Sequence, residues 1–287
     1  MTVTIAVIAP GAMGSGIARR LVENGARVLT NIEGRSKQTV ARAQAAGMVP
    51  ANLAEIAAAD LVLSIVPPAQ AVSLAQTLAP VLRAGKTKAA YIDCNAINPE
   101  TMKKVATALA DTGCEVIDGS IIGGPPVPGS AGPALYVSGD QNHRADILGG
   151  LGLRLRRIDG PLGAASALKM VYGGMNKGTI ALQAAMLLAA ERAGCAESLR
   201  QEFAESSPQV LARMSRSIPD MYPKAYRWVA EMQEIAEFLG PNDPAAEIFR
   251  ANAEIFIRMA EDRKEGGDLA KILDGIIADR GETRRTG

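Results

Sequence analysis

The stretch "VIAPGAMGSGIA", Val7 to Ala18, limits what this chain can fold into more than any other. It joins an apolar run, "TVTIAVIA", to a helix-like stretch, "SGIARRLVENG", through Gly11, Gly14 and Gly16. A continuous apolar run suits a strand buried on both faces. Glycines at the turn let backbone segments approach closely. The same alternation then repeats. Strand-like runs "ARVLTN", "ADLVLSIVP", "KAAYIDC" and "CEVIDGS" are separated by helix-like stretches "SKQTVARAQAAG", "AQAVSLAQTLAPVL" and "NPETMKKVATALADTG". Several of these end in a glycine suited to closing a helix. The pattern predicts an α/β domain with a parallel, doubly wound sheet.

A Pro/Gly-rich loop, "GGPPVPGSAGP" from Gly123 to Pro133, precedes two more strand-like runs, "ALYVSG" and "LRLRRI". Past "DGPLG" the character changes. One long apolar helical stretch from Ala164 to Ala193 is closed by Gly194, and helices follow with breaks at "SIPDMYP" and "LGPNDP". The expected organisation is an α/β domain over 1–162 and an all-helical domain over 163–287, joined by the long helix. The last seven residues, "GETRRTG", read as a frayed polar tail.

Composition narrows the function. Lys and Arg number 31 and Asp and Glu 30. That balance argues against nucleic acid or an anionic membrane as the main partner. No apolar run is long and charge-free enough to span a bilayer, and with no charged n-region ahead of the first strand-like run no signal peptide is expected. The three cysteines are widely spaced and odd in number. They suggest a reducing compartment without a disulfide framework or zinc site. The expectation is a cytoplasmic protein acting on a small molecule.

A glycine turn opening a helix after a first strand is suited to a dinucleotide. Its glycines let the backbone approach a pyrophosphate, and the helix N-terminus offers free N–H groups. The usual pattern is G-x-G-x-x-G, and here Ala9 stands at the first position. A methyl group is tolerable there where φ is negative. Gly11 then becomes the residue of closest approach, and Gly14 lets the helix pack on the strand. The turn, Ala9 to Gly14 with Ala12 and Met13, is the expected pyrophosphate site. The second strand ends in "TNIEGRSK". Glu33 lies near the spacing of the acid that binds the ribose hydroxyls of NAD. Arg35 and Ser36 could instead hold the 2′-phosphate of NADP, and a guanidinium beside a hydroxyl favours NADP, with NAD as the alternative.

At this point the chain resembles the β-hydroxyacid dehydrogenase superfamily, which includes 3-hydroxyisobutyrate and 6-phosphogluconate dehydrogenases, with imine reductases as relatives. The resemblance rests on ordered segments over about the first 180 residues: "APGAMGSGIARRLVENG", "GRSKQTVARAQAAG", "SIVPP", "DCNAINPET", "DGSIIGGPP" and "GPLGAASALKMVYGG". Around "KAYRWVAEMQEIAEFLG" the helical part looks more like an uncharacterised subfamily of phosphogluconate-type dehydrogenases. The resemblance implies a Rossmann-type cofactor domain and a homodimer. It also implies nicotinamide-side contacts at Val66, Pro67 and Asn95, and a substrate loop at Ile122, Gly123 and Gly124. Lys169 would be the proton shuttle. The chemistry agrees, since hydride leaves an alcohol carbon only as its O–H proton is removed. Without the resemblance, Lys169 reads as a side chain reaching solvent or pairing structurally. A lysine on an apolar helix would be desolvated and so shifted toward a useful range.

Two departures matter. The family's substrate-loop serine is Ile122, and the asparagine one turn after the lysine is Gly173. Adjacent glycines Gly173 and Gly174 each cost a helix about 1 kcal/mol relative to Ala. They therefore imply close packing or room for a ligand. Asn176, seven residues after Lys169, and Tyr172, three after it, are candidate replacements for the lost polar groups. The substrate is expected to be bulkier or less polar than a simple hydroxy acid. Its anionic group, if any, would meet the N–H groups of Gly123 and Gly124, and Asn95. Trp228 and Tyr226 read as helix packing, with walls of the substrate pocket as the alternative, and Glu231 and Glu234 as a solvated face or as pocket carboxylates suited to an amine or polyol substrate. The single histidine, His143, reads as a surface residue, and no carboxylate pair has metal-ligand spacing. The expected activity is NADP-dependent hydride transfer at a hydroxyl or carbonyl carbon. Imine reduction and a non-catalytic NADP-binding sensor are the alternatives.

Overall fold

The structure, a computed structural model, describes residues 2–127 and 129–278. The expected frayed tail lies outside them. The chain divides into two compact units, 1–170 and 171–287. The division falls inside the long helical stretch rather than ahead of it.

The first unit carries eight strands. In chain order the elements are β1 (Thr4–Ile8), α1 (Ala12–Glu23), β2 (Arg27–Thr30), α2 (Lys37–Ala45), β3 (Val49–Pro50), α3 (Leu53–Ala57), β4 (Leu61–Ser64), α4 (Ala71–Ala84), β5 (Ala90–Asp93), α5 (Pro99–Leu109), β6 (Glu115–Ile122), β7 (Ala134–Ser138), α6 (Asp146–Gly150) and β8 (Arg154–Arg157). The sheet order is β3-β2-β1-β4-β5-β6-β7-β8. All neighbours are parallel except β6 and β7, where Asp118 faces Ser138 and Ile122 faces Ala134 in antiparallel register. Loop 123–133 makes this reversal without the crossover helix that a parallel pair needs. The central strands alternate between two apolar layers. Ile5, Val7, Leu61, Leu63 and Ile92 face one, and Ala6, Ile8, Val62 and Tyr91 face the other. Helices on both faces bury these layers, which is why the strands read as unbroken apolar runs.

The chain is helical from Ala164 to Arg192 in three segments: α7 (Ala164–Gly173), a π-helical stretch Gly174–Gly178, and α8 (Thr179–Arg192). In the second unit α9 (Ala196–Ser206), α10 (Pro208–Met221), α11 (Ala225–Leu239), α12 (Pro244–Glu265) and α13 (Asp268–Ile277) follow. Its core includes Met214, Ile218, Trp228, Met232, Phe256, Met259 and Leu273. The break expected at "LGPNDP" is present, and Asp243 caps α12 there, its side chain accepting the Ala245 N–H. The break expected at "SIPDMYP" shifts: α10 continues through Pro219 to Met221 before the chain turns. Burial of Met214, Ile218 and Met221 along one face holds that helix together across the proline. No helix among the described residues is long and apolar enough to cross a membrane.

Candidate functional site

The strand order reverses between β1 and β4, and ligands of open α/β sheets bind outside the carboxyl ends of strands at such a point. The β1–α1 turn lies there. A Cβ at Gly14 would collide with the Ala9 carbonyl oxygen, so no other residue fits. That carbonyl also accepts the Gly11 N–H at 2.8 Å. At Gly11 nothing lies within 4 Å of a Cβ position, leaving its outer face open. No side chain caps α1, whose first residue, Ala12, is exposed, while Met13 packs on the core. The first N–H groups of α1 are therefore available to an anion.

Glu33 and Arg35 meet in one cavity of about 300 Å³, with Asn31, Val66, Ser73 and Thr77 also on its walls. Ser36 stands beside it as the cap of α2, its hydroxyl accepting the Thr39 N–H. Val66 is held by Asn95, whose amide oxygen accepts the Val66 N–H at 2.6 Å. Pro67, exposed, follows at the start of a short 3₁₀ turn.

Asn95 itself is 2% exposed. Its amide nitrogen donates to Ser64 Oγ and Asp93 Oδ2, each at 2.8 Å, and its backbone N–H donates to Asp93 Oδ1. All its side-chain polar atoms are thus engaged within the protein. These bonds make it a support for the β4 and β5 ends. Burial pushes the Asp93 carboxyl up to about 7, with Asn95 hydrogen bonds opposing and Asp118 adding.

Lys169, half-buried on α7, donates to the Ile121 carbonyl. That places its ammonium at the end of β6, where the Ile122–Gly124 loop begins. Ile122 offers this loop an aliphatic side chain and no hydroxyl. Gly123 has φ of 125° and a Cβ there would lie 3.1 Å from Pro133 Cα, so its glycine serves loop geometry. Gly124 has nothing within 4 Å and presents an open face. The loop is fastened to α1. Arg20 donates to the Ser130 and Ala131 carbonyls at 2.7 and 3.0 Å, and a Cβ at Gly16 would lie 2.8 Å from Pro126 Cδ.

In the second unit, Tyr172 is half-exposed. Asn176 donates to the Tyr172 carbonyl and accepts from Arg213, both at 2.8 Å. Seven residues make two turns only in an unbroken α-helix, and Gly174–Gly178 is π-helical. Asn176 is therefore a bridge between α10 and its own helix. A Cβ at Gly174 would lie 3.0 Å from Phe249 Cζ, and one at Gly178 3.2 Å from both Phe249 and Asn252. Gly174 thus serves close helix packing, whereas Gly173 has only Ile235 Cδ1, at 4.0 Å. Trp228 packs edge-on to Phe256 at 5.3 Å, as expected of a core residue. Tyr226 is 69% exposed and does not pack as expected, because it points off the face of α11 that carries Trp228 and Met232. Glu231 is not a solvated face: it pairs with Lys177, and both side chains are largely buried. His143 is exposed, its ring 3.5 Å from Asp146.

Sequence reasoning missed Asp118 and its partners Ser138 and Ser166. It also missed Gly178, whose four-residue spacing from Gly174 was the available signal.

The NAD-binding domain of 6-phosphogluconate dehydrogenase matches residues 4–149, and a domain of unknown function (DUF1932) matches residues 190–259. No curated protein matches the sequence significantly. Among solved structures, a conserved hypothetical protein from Sinorhizobium meliloti 1021 is similar at 29% identity, over 96% of this chain and 97% of its own, with a TM-score of 0.71. A conserved protein of unknown function, described as structurally similar to 3-hydroxyacid dehydrogenases, is 26% identical over 93% of this chain and 99% of its own, TM-score 0.68. The Mycobacterium tuberculosis 3-hydroxyisobutyrate dehydrogenase, solved with L-serine, shares the fold at 20% identity, over 96% and 99% of the two chains, TM-score 0.72. The glycine turn, the reversal of strand order and the match across half the chain agree on an NAD(P)-binding, dehydrogenase-like fold. The chain belongs to the family defined by the NAD-binding domain of 6-phosphogluconate dehydrogenase.

Proposed function

We propose that the protein is an NADP(H)-dependent oxidoreductase that interconverts a hydroxyl-bearing carbon and a carbonyl. The observation that carries this reading is the placement of the Lys169 ammonium at the end of β6, where the loop with the open face of Gly124 begins. Gly11, the first turn of α1, Glu33, Arg35 and Val66 would hold the dinucleotide. When bound there, the cofactor would supply or accept the hydride of the reaction. Lys169 gives a proton to the substrate oxygen during reduction and takes it back during oxidation. The Ile121 carbonyl accepts a hydrogen bond from the Lys169 nitrogen and keeps it in place in both protonation states. Arg35, together with the N-terminus of α2 at Ser36, supports NADP over NAD, since both favour a 2′-phosphate.

With Ile122 and Gly173 in place of hydrogen-bonding residues, the reading extends to a substrate bulkier or less polar than a small hydroxy acid. Exposed Val171, Met175, Leu182 and Met186 support a homodimer contact along the helix. The test is Lys169→Ala, assayed on carbonyl and imine panels with NADPH. Turnover is expected to vanish while NADPH binding stays within about twofold, since Lys169 acts on the substrate and not on the cofactor. Unchanged turnover in the variant refutes the assignment of Lys169. Strong turnover of 3-hydroxyisobutyrate at millimolar or lower KM refutes the bulkier substrate.

A further inference from the structure

Asp118 is a buried acid of the first unit that accepts three side-chain or backbone hydrogen bonds. It lies in β6 with no exposed surface. Its Oδ2 accepts the Ser166 N–H at 2.9 Å and the Ser138 hydroxyl at 3.0 Å, and its Oδ1 accepts the Ser166 hydroxyl at 2.6 Å. Ser138 Oγ in turn accepts the Ala165 N–H at 3.0 Å. Ala165 and Ser166 belong to the first turn of α7, whose orphan N–H groups need acceptors. One carboxylate, directly and through one hydroxyl, therefore terminates α7 against the sheet.

The pinned face of α7 is the face that carries the lysine. Ser166 and Ala165 stand three and four residues before Lys169, the spacings that bring side chains onto one side of a helix. The strand does double service as well. Asp118 anchors the start of α7, and three residues on, the Ile121 carbonyl receives the Lys169 ammonium. A rotation or slip of α7 would break the anchor and the lysine contact together.

We infer that Asp118 is a positioning residue for Lys169. Acting through Ser166 and Ser138, it fixes the rotation and advance of α7 that set the ammonium on the Ile121 carbonyl. The inference rests on the reading of Lys169 as the proton-transfer group. Burial holds the Asp118 carboxyl above its usual range, with the Ser166 hydrogen bonds opposing. The anchor is thus kept at a cost in solvation, as expected of a group retained for geometry.

The test reads the lysine directly and needs no substrate. Acylation of Lys169 by limiting acetic anhydride at neutral pH is followed by mass spectrometry in the wild type, Asp118→Asn, Asp118→Glu, Ser166→Ala and Ser138→Ala, with Lys103 as an internal reference. Melting and NADPH binding are measured alongside. The expected result is a change of about fivefold in Lys169 labelling relative to Lys103 in Asp118→Asn, the scale of one released hydrogen bond. A smaller change in the same direction is expected in Ser166→Ala, and near wild-type labelling in Asp118→Glu where that variant restores the Ser166 contact. Should Asp118→Asn not fold, the two serine variants carry the test. Folded variants whose Lys169 labels within twofold of wild type overturn the inference. That outcome is distinct from failure of the proposed function, which shows as turnover surviving Lys169→Ala.

Discussion

Gly173 and Gly174 are neighbours with opposite surroundings, and replacing each in turn separates two reasons for a helix to keep a glycine. In Gly173→Ala the added methyl comes no closer than 4.0 Å to Ile235 Cδ1. Alanine is favoured over glycine in a helix by about 1 kcal/mol, and nothing nearby opposes that gain. The variant is therefore expected to be more stable by about 0.5–1 kcal/mol. Gly174→Ala has the same backbone gain, but its methyl meets the Phe249 ring at 3.0 and 3.2 Å. Overpacking of that kind costs about 1–3 kcal/mol. The net effect runs from neutral to a loss of about 2 kcal/mol, leaving the two variants about 1–3 kcal/mol apart. Urea unfolding of both variants, followed by far-UV circular dichroism, measures the gap. If Gly174→Ala proves as stable as Gly173→Ala, the ring of Phe249 yields and packing is not what keeps Gly174. Turnover adds a second reading. If the open side of Gly173 receives substrate, Gly173→Ala loses activity while gaining stability.

Gly14→Ala forces the Ala9 carbonyl aside and is expected to weaken NADPH binding at least tenfold by fluorescence titration, a loss of about 1.4 kcal/mol or more; unchanged affinity would show that the turn does not hold the cofactor. Arg35→Ala is expected to weaken NADPH about tenfold, the scale of a charge-assisted hydrogen bond, and to leave NADH nearly unaffected. Equal losses for the two cofactors would remove Arg35 from 2′-phosphate recognition. For Asp93 the sign follows from its raised carboxyl, about 7 in the folded protein against 3.8 for the free group. Between about pH 4 and 7 the unfolded chain has released this proton while the folded one keeps it, so stability falls as pH rises and levels off above. The slope from one group is at most about 1.4 kcal/mol per pH unit. Asp93→Asn should flatten the profile over that window in urea titrations, and an unaltered slope would count against the buried-acid assignment.

The parts of the fold that could be read from sequence are those whose cause is local. β1 announces itself because both faces are buried from Ile5 to Ile8, and no polar residue interrupts that stretch. β3 does not, because it is only Val49 and Pro50, both exposed, paired through their backbone to Leu29 and Thr30. α3 carried a readable sign, since Asn52 and Glu55 form a reciprocal capping box at its start. The cofactor turn was legible for the same local reason. The anchoring of α7 was not, since Asp118 and Ser166 stand 48 residues apart and nothing in either segment names the other. The role of Asn176 was hidden by helix phase, because counting turns fails where the hydrogen bonding widens to a π-helix.

The clasp between loop 123–133 and α1 bears on how such a protein can be remade. Grafting a new loop to change substrate preference looks like a local exchange, since the segment is rich in Pro and Gly and stands at the surface. Here the graft would have to travel with its seat: a small residue at position 16 and a long cation at position 20. Diversity in this loop is therefore tied to positions about a hundred residues earlier in the chain, and a library that varies the loop alone will be dominated by members that have lost their mooring.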